Sequence, residues 1–255
     1  MSAWRVVFAV CIAALVACGV GWPSHASAKK KDQVDVSVPK GQTVLLLDVF
    51  ESKPFRHRER MWGGIARWVE GDDILNDQIH ERLAGILVNA GYEVAWEKVP
   101  DEYVRPIQKW SFLSMGWSTN MVNQKYLPWF RELMQKHGAT SVVIFYTDFG
   151  RHTFGVEADS NDPPTNVWFV ADIGAVALTG DKLVLRRGDF TSGTCVVRAP
   201  FSVIDVPSLD QLNGEKLSPF NDLIASLAAK NAAIDLALTG AYGIRRPSCS
   251  TYGTN

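Results

Sequence analysis

Two aspartates stand at, or just beyond, the ends of strongly apolar runs that predict buried strands. Asp48 lies near the end of the run 44–50 (VLLLDVF), and Asp148 follows the run 139–146 (ATSVVIFY). In open α/β sheets, ligand crevices form outside the carboxyl ends of the strands. Both carboxylates are therefore candidates for one shared rim, provided that the two strands are neighbours.

Basic and imidazole side chains follow both runs. Arg56 and His57 come after the first run, and Arg151 and His152 come after the second. Together with the two carboxylates, such a group could carry out acid–base hydrolysis or bind a divalent metal ion. The candidate catalytic residues are Asp48, Asp148 and His152, and the candidate binding residues are Arg56, His57 and Arg151. The alternative is that all six are ordinary polar residues of loops and strand ends.

Large aromatic residues concentrate in two segments without periodicity, 51–71 and 100–125. They are Trp62, Trp68, Trp110, Phe112 and Trp117. Because large aromatic side chains are enriched at binding hot spots, these segments predict a surface for a partner. The alternative is that both loops fold back and bury the rings as a satellite core.

Composition and motifs exclude several classes of function. The net charge of −1 gives no basic surface for nucleic acid. The chain contains no G-x-S-x-G, H-E-x-x-H, P-loop or C-x-x-C motif. We therefore predict no nucleic-acid partner, no cofactor and no metal site, and the protein is more readily explained as a binding protein than as an enzyme.

The N-terminus has the pattern of an export signal. Arg5 precedes an apolar run, 6–17, that is too short to span a bilayer alone. Ala26-Ser27-Ala28 resembles a signal-peptidase site and precedes three lysines. Residues 1–28 are thus predicted to be a signal peptide, and the mature protein is placed in the periplasm, with the cell exterior as an alternative.

A second cleavage site competes with the first. Leu15-Val16-Ala17-Cys18 resembles a lipobox, in which Cys18 is lipidated and becomes the new N-terminus. An acyl chain would then anchor the protein to a membrane. The mature protein is accordingly either soluble or lipid-anchored through Cys18.

Two cysteines remain outside the signal region. Cys195 and Cys249 form a candidate disulfide, because paired cysteines in an oxidising compartment are usually bonded. The alternative is two unpaired thiols, one in a strand and one on the C-terminal tail.

The elements that position these residues follow from periodicity and from turn signals. Helices are predicted at 73–90, 126–137 and 218–239, the last with Ser218 as its cap and with Asn231 as a buried, hydrogen-bonded polar residue. The order is β-α-β-α-β, then an antiparallel meander, then a helix. The predicted fold is α/β (α+β): a single mixed sheet of about six strands packed with about three helices, the C-terminal helix last. The predicted strands are 44–50, 92–99, 139–146, 167–178, 182–190 and 194–206.

The domain organisation is simple. We predict a linker at 29–42, one globular domain at 43–242 and a C-terminal tail at 243–255. The strand VLLLDVF, the helix DDILNDQIHERLAGIL, the strand after NAGYEV and the strand ATSVVIFYTDFG resemble the periplasmic assembly domains of the TolB N-terminal and CsgG lipoprotein type. The resemblance covers about residues 43–240 and departs at the two aromatic loops. It implies a non-enzymatic binding or assembly role.

These observations define three functional hypotheses. The first is an exported cell-envelope protein that binds, or helps to assemble, a protein or glycan partner. The second is a periplasmic hydrolase with an acidic and histidine site at strand ends. The third is an immunity-type inhibitor of a secreted toxin.

Overall fold

The computed structural model describes most of the chain from residue 37 onward. The described residues are 37–49, 57–58, 73–115, 120–146, 154–159, 161, 163–171, 173–186 and 195–249. They belong to one compact unit, Val36–Asn255. The predicted signal 1–28, including Cys18, and the start of the linker lie outside the described residues. None of the described helices is both long enough and apolar enough to cross a lipid bilayer.

Strands and helices alternate along the described chain. The strands are β1 (Thr43–Val49), β2 (His57–Arg58), β3 (Glu93–Lys98), β4 (Leu113–Met115), β5 (Asn120–Val122), β6 (Ala139–Tyr146), β7 (Phe154–Ala158), β8 (Asn166–Ala171), β9 (Gly174–Thr179), β10 (Val184–Arg186) and β11 (Val196–Pro200). The helices are α1 (Asp73–Asn89), α2 (Asp101–Gln108), α3 (Leu127–His137), α4 (Gly214–Leu217) and α5 (Asn221–Thr239). Short 3-10 turns occupy Phe201–Ile204, Leu209–Gln211 and Ser218–Phe220.

The strands form two sheets. The first has seven strands in the order β3-β1-β6-β9-β10-β5-β4, and the second has the order β11-β8-β7-β2. β1 runs parallel to both β3 and β6, whereas β9 and the strands beyond it pair antiparallel. The predicted α+β class, with a mixed sheet and the C-terminal helix last, is confirmed.

The division into two sheets was not expected from the sequence. The run 167–178 was interpreted as one strand, but β8 ends at Ala171 and β9 starts at Gly174 in the other sheet. Ile173, between them, is fully buried. Because the run is apolar almost throughout, its hydrophobicity does not mark the point where the chain leaves one sheet. The last predicted strand of the meander, 194–206, contains β11, which accordingly pairs with β8 and not with β10.

The first sheet is buried on both faces, as the apolar run in β1 predicts. Val44 and Leu46 belong to the core shared with α1, α5 and the second sheet. Leu45 and Leu47 belong to the core shared with α2 and α3. Successive side chains of a strand point to opposite faces, so one continuous apolar strand serves both cores.

The segment 100–125, expected to be irregular, contains α2, β4 and β5. Pro106 lies inside α2, which is why the sequence pattern gave no helix there. The helix is nevertheless held by packing, since Ile107 is buried. The predicted cap Ser218 begins a 3-10 turn and makes no capping bond, whereas Asn213 caps α4 by accepting from the Lys216 amide at 2.9 Å.

Buried polar groups join the first described residues to the end of α5. The Val38 amide donates to the Ala241 carbonyl at 2.8 Å. The Tyr92 hydroxyl donates to the Val38 carbonyl at 2.9 Å, and the Tyr242 hydroxyl donates to Ser141 Oγ at 3.1 Å. Burial raises the pKa of both tyrosines, so both hydroxyls stay protonated and remain donors.

Asp159 organises the connection between β7 and β8. It accepts from the Thr165 amide at 3.0 Å, from the Asn166 amide at 2.9 Å and from the Thr165 hydroxyl. Partial burial alone would raise the pKa of Asp159, but these donors together outweigh it and lower the pKa to about 2.

We therefore expect Asp159 to make the free energy of unfolding decrease at acidic pH. A carboxyl whose folded pKa is depressed contributes fully above its unfolded pKa, near 3.8, and loses this contribution as the pH falls towards 2. Because Asp159 is partly exposed, solvent screening reduces the effect to about 1 kcal/mol. Urea unfolding at pH 5, 4, 3 and 2 measures it. The Asp159→Asn variant should lack this part of the acid loss, and an unchanged profile would contradict the assignment.

Candidate functional site at the junction of the two sheets

The strands on either side of two connections are paired in both sheets. β1 and β6 are parallel neighbours, with Val49 opposite Tyr146. β2 and β7 are again parallel neighbours, with His57 opposite Glu157. The connections after β1 and after β6 therefore start at neighbouring residues and end at neighbouring residues. We call the region between these two pairings the junction.

The predicted site residues fall at this junction in the sequence. Asp48 belongs to β1, where its backbone is opposite Phe145 and Lys98, and His57 belongs to β2. The two strands that were required to be neighbours, β1 and β6, are therefore paired. The other candidates lie outside the described residues, so their convergence stays a prediction; they are Arg56, Asp148, Arg151 and His152.

The aromatic prediction divides into two parts. Trp62, Trp68 and Trp117 lie outside the described residues. Phe112 is completely buried and packs against Phe130, with ring centroids 5.9 Å apart. Its ring is part of the core and offers no surface to a partner, because the segment folds back as the alternative interpretation held.

Trp110 is half-buried and marks the described edge of the junction. Its ring meets Tyr146 edge-on, with centroids 4.9 Å apart. Its φ of 58° is uncommon for a residue other than glycine, so packing must hold the backbone there. Tyr146 in turn lies across Gly174, the residue opposite it on β9. The Trp110 and Tyr146 side chains therefore pack together where β6 ends and β9 begins.

This packing predicts that Gly174 does not tolerate a methyl group. A Cβ at Gly174 would lie 2.7 Å from the Tyr146 hydroxyl oxygen and 2.8 Å from its Cε1. We expect Gly174→Ala to lower the free energy of unfolding by about 1–3 kcal/mol, since the Tyr146 ring must shift against Trp110. Equilibrium urea unfolding, followed by tryptophan fluorescence, measures the loss.

The matched control is Gly85→Ala. Gly85 lies inside α1 with open space where the Cβ would be, so alanine should be neutral or stabilising by up to about 1 kcal/mol. Adding Tyr146→Ala to Gly174→Ala should remove most of the steric penalty. Equal losses from Gly174→Ala in both backgrounds would show that the ring is not the cause.

Asp235 lies at the same end of the sheet on the opposite face. Its Oδ2 accepts from the Ala175 amide at 3.3 Å, next to the point where β9 leaves the junction. Sequence reasoning missed both Asp235 and Tyr146. No local signal marked Asp235, because α5 carries other polar residues, among them Asp222, Lys230 and Asn231.

A second polar cluster occupies the far edge of the first sheet. Glu97 accepts from Lys136 at 2.7 Å and contacts the His137 ring nitrogen at 2.6 Å. Hydrogen bonds lower the pKa of Glu97, and the bond from Lys136 contributes more than the bond from His137. The cluster fixes the end of α3 to the edge strand β3.

An apolar groove lies beside the second sheet. It has a volume of about 330 Å³ and is lined by Val203, Ile204, Asp205, Glu215, Lys216, Pro219 and Phe220. Val203 is 45% exposed, which is high for a large apolar side chain. Phe220 forms one wall and packs on Phe169 of β8, with ring centroids 4.6 Å apart. We call this surface the Val203 groove.

The rim of the Val203 groove is charged. Asp205 and Glu215 are exposed carboxylates, and neither forms an ion pair with any residue that the structure describes. Asp205 ends the 3-10 turn in a left-handed conformation with a φ of 47°. No sequence pattern predicted this groove, because it forms only where the 3-10 turn after β11 meets α4 and the 3-10 turn that follows it.

Among the described residues, no group of three or more histidine, cysteine, aspartate or glutamate residues is arranged to hold a metal ion. The cysteines are joined as predicted: Cys195 and Cys249 form a disulfide with their Cα atoms 5.4 Å apart.

No family model matches this chain, and a search of curated proteins found none that matches it.

Proposed function

We propose that this chain is an exported cell-envelope protein that binds a protein partner through the Val203 groove. The observation that carries the proposal is the exposed Val203 beside Phe220, in an apolar groove with a charged rim. An apolar centre within a polar rim is the usual anatomy of a protein interface. The groove can accommodate one or two apolar side chains, which is the scale of a hot-spot pocket.

The exported location rests on different observations. Residues 1–28 have the pattern of a signal peptide, with Cys18 as an alternative lipidation site. The disulfide between Cys195 and Cys249 supports the same location, because such bonds persist mainly in oxidising compartments. The resemblance to TolB-type and CsgG-type assembly domains stays a prediction that agrees with a binding role.

Site-specific crosslinking tests the groove. We would replace Val203 by a photo-reactive phenylalanine analogue, irradiate living cells and identify covalent adducts by mass spectrometry. The expected result is a discrete protein adduct, and the purified partner should then bind the unmodified chain in solution. Adding Phe220→Ala should lower the adduct yield and weaken binding at least tenfold, because Phe220 forms a wall of the groove.

The matched control places the same probe at Val88. Among the described residues, Val88 is also a well-exposed large apolar side chain, at 55%, and it lies on α1, which does not line the groove. No adduct with the same partner should form there. An adduct pattern that is identical at both positions, or one that survives Phe220→Ala unchanged, would overturn the proposal.

A second candidate, a hydrolase with its site at the junction, has one observation in its favour. The paired ends of the two connections, Val49 with Tyr146 and His57 with Glu157, bracket the segments that contain Asp148 and His152. Purified protein assayed against phosphoester, ester, glycoside and peptide substrates tests this candidate. If any activity is found, Asp148→Asn should reduce it at least 100-fold, whereas the exposed control Asp210→Asn should not. An activity that survives Asp148→Asn removes the candidate.

A further inference from the structure

The Val203 groove has two banks, and each bank carries a carboxylate. Val203 and Asp205 lie on the bank formed by the turn after β11, whereas Glu215 and Phe220 lie on the bank formed by residues 215–220. Both carboxylates are exposed. An apolar side chain that enters the groove therefore has an exposed negative charge on either side of it.

The backbone holds the two carboxylates in defined places. Asp205 ends its 3-10 turn, and Glu215 lies in the first turn of α4, which Asn213 caps through its bond to the Lys216 amide. Neither carboxylate forms an ion pair with a residue in the described part of the chain. Both are therefore available to a cation from outside the molecule.

One cation also lines the groove. Lys216 follows Glu215 on the second bank and is exposed. It forms no ion pair with either carboxylate of the groove. Among the described lining residues, two carboxylates against one ammonium leave a net negative charge, which Lys216 reduces without cancelling.

Arg198 of β11 lies on the other face of the second sheet. Its guanidinium lies over the Trp168 ring, 5.6 Å from the centroid, and Trp168 is opposite Arg198 in the register. Phe220 instead packs on Phe169, the next residue of β8. Because successive side chains of a strand point to opposite faces, Arg198 does not offset the charge of the groove.

Two cations on the helices beside the groove do not offset its charge either. Arg82 of α1 is paired with Asp222, so this pair adds no net charge near the start of α5. Lys230 lies about 15 Å further along α5 than Phe220.

The arginines near the C-terminus lie at the other end of β11. Arg245 and Arg246 come shortly before Cys249, and the disulfide holds Cys249 at Cys195. Cys195 precedes β11, whereas the groove follows it, so the five residues of the strand separate this tail from the groove. The described cations of the neighbouring elements therefore leave the negative charge of the groove unbalanced.

We propose that the Val203 groove recognises a basic segment of its protein partner, in which an apolar side chain is flanked by lysine or arginine. The apolar side chain packs between Val203 and Phe220, and the flanking cations approach Asp205 and Glu215. Complementary charge at the rim of an interface sets specificity more than affinity, so acidic segments are rejected. The inference rests on the proposed function, because it names what the partner presents to the same groove.

Selection from a peptide library tests the preference. Random heptapeptides displayed on phage are selected on the purified full chain and, in parallel, on the Val203→Ser variant. Sequences that depend on Val203 should carry lysine or arginine within two residues of an apolar residue about threefold more often than the library does. An excess of acidic residues, no excess of basic ones, or no dependence on Val203 would overturn the inference.

A charge series on the groove gives a second measurement. The selected peptide with the strongest binding is labelled and titrated with each variant. Asp205→Asn with Glu215→Gln should weaken binding about fivefold, since each exposed ion pair contributes a factor of about two. Lys216→Gln should strengthen binding about twofold, because it removes the opposing cation. Salt at 0.5 M should reduce both effects by screening.

The matched control neutralises two exposed carboxylates of α1, which does not line the groove. Asp77→Asn with Glu81→Gln makes the same change in net charge and should alter binding by less than a factor of about 1.5. Equal losses in the two double variants, or weaker binding by Lys216→Gln, would contradict recognition by charge at the groove.

The outcome is distinguishable from failure of the proposed function. A discrete adduct at Val203 in cells, combined with no preference for basic peptides, would remove this inference alone and leave a groove that recognises apolar shape. The absence of any adduct at Val203 would remove the proposed function and this inference together.

Discussion

Replacing Asn231 by leucine is expected to lower the free energy of unfolding by about 3 kcal/mol. Asn231 is buried in α5, and its amide nitrogen donates to the Ala171 carbonyl at 2.6 Å and to the Cys195 carbonyl at 3.2 Å. Its oxygen accepts from the Cys195 amide at 2.7 Å. Leucine would leave these backbone groups buried without partners, and each such group costs about 1–3 kcal/mol. Equilibrium urea unfolding measures the loss.

Asn213→Ala is the control for this prediction. Asn213 is exposed and caps α4 through one hydrogen bond, so its replacement should cost about 1 kcal/mol. The larger loss at position 231 would show that the cost comes from buried backbone groups and not from asparagine in general. A loss at Asn231→Leu no greater than that at Asn213→Ala would contradict this account of the α5 contact with the second sheet.

Reducing the disulfide is expected to cost about 4 kcal/mol. Cys195 and Cys249 are 54 residues apart in the sequence, and the bond removes the entropy that this loop would gain on unfolding. Urea unfolding with and without dithiothreitol measures the difference. Cys249→Ser should lose a similar amount and should no longer respond to dithiothreitol.

Cys249 is the better position for this substitution because it is exposed, whereas Cys195 is buried and its replacement would also leave a cavity. The Asn231 contact and the disulfide meet at Cys195, so the two perturbations should not be additive. If Asn231→Leu and reduction cost the same together as the sum of each alone, the bonded tail does not help to hold Cys195 against α5.

Elements with a clear hydrophobic pattern and clear end signals were predictable from the sequence. β1 and β6 are apolar on both faces and bounded by turn signals, and α3 is marked by Pro128 in its first turn and by Gly138 at its end. The burial of Asn231 followed from one polar residue on an apolar helical face. In each case a local pattern carries enough information to specify the local structure.

The second sheet and the Val203 groove were not predictable in this way. Hydrophobicity does not locate the break between β8 and β9, because buried strands of either sheet favour the same apolar residues. The groove depends on the meeting of residues 203–205 with residues 215–220, which lie in short helical turns that carry no periodic pattern. Of the candidate site, the neighbouring strand ends were predictable from topology; Asp235 was not, because its partner is a backbone amide in a distant strand.

The hydrogen bond between Val38 and Ala241 brings the residue region before β1 next to the end of α5, and the chain then continues to Cys249, which is bonded to Cys195. A circularly permuted chain must therefore keep residues 242–249 in its joining segment if it is to keep the disulfide, and new ends could be opened in the exposed turn at Gly180. Truncation after Ala241 would remove Cys249 and with it the bond.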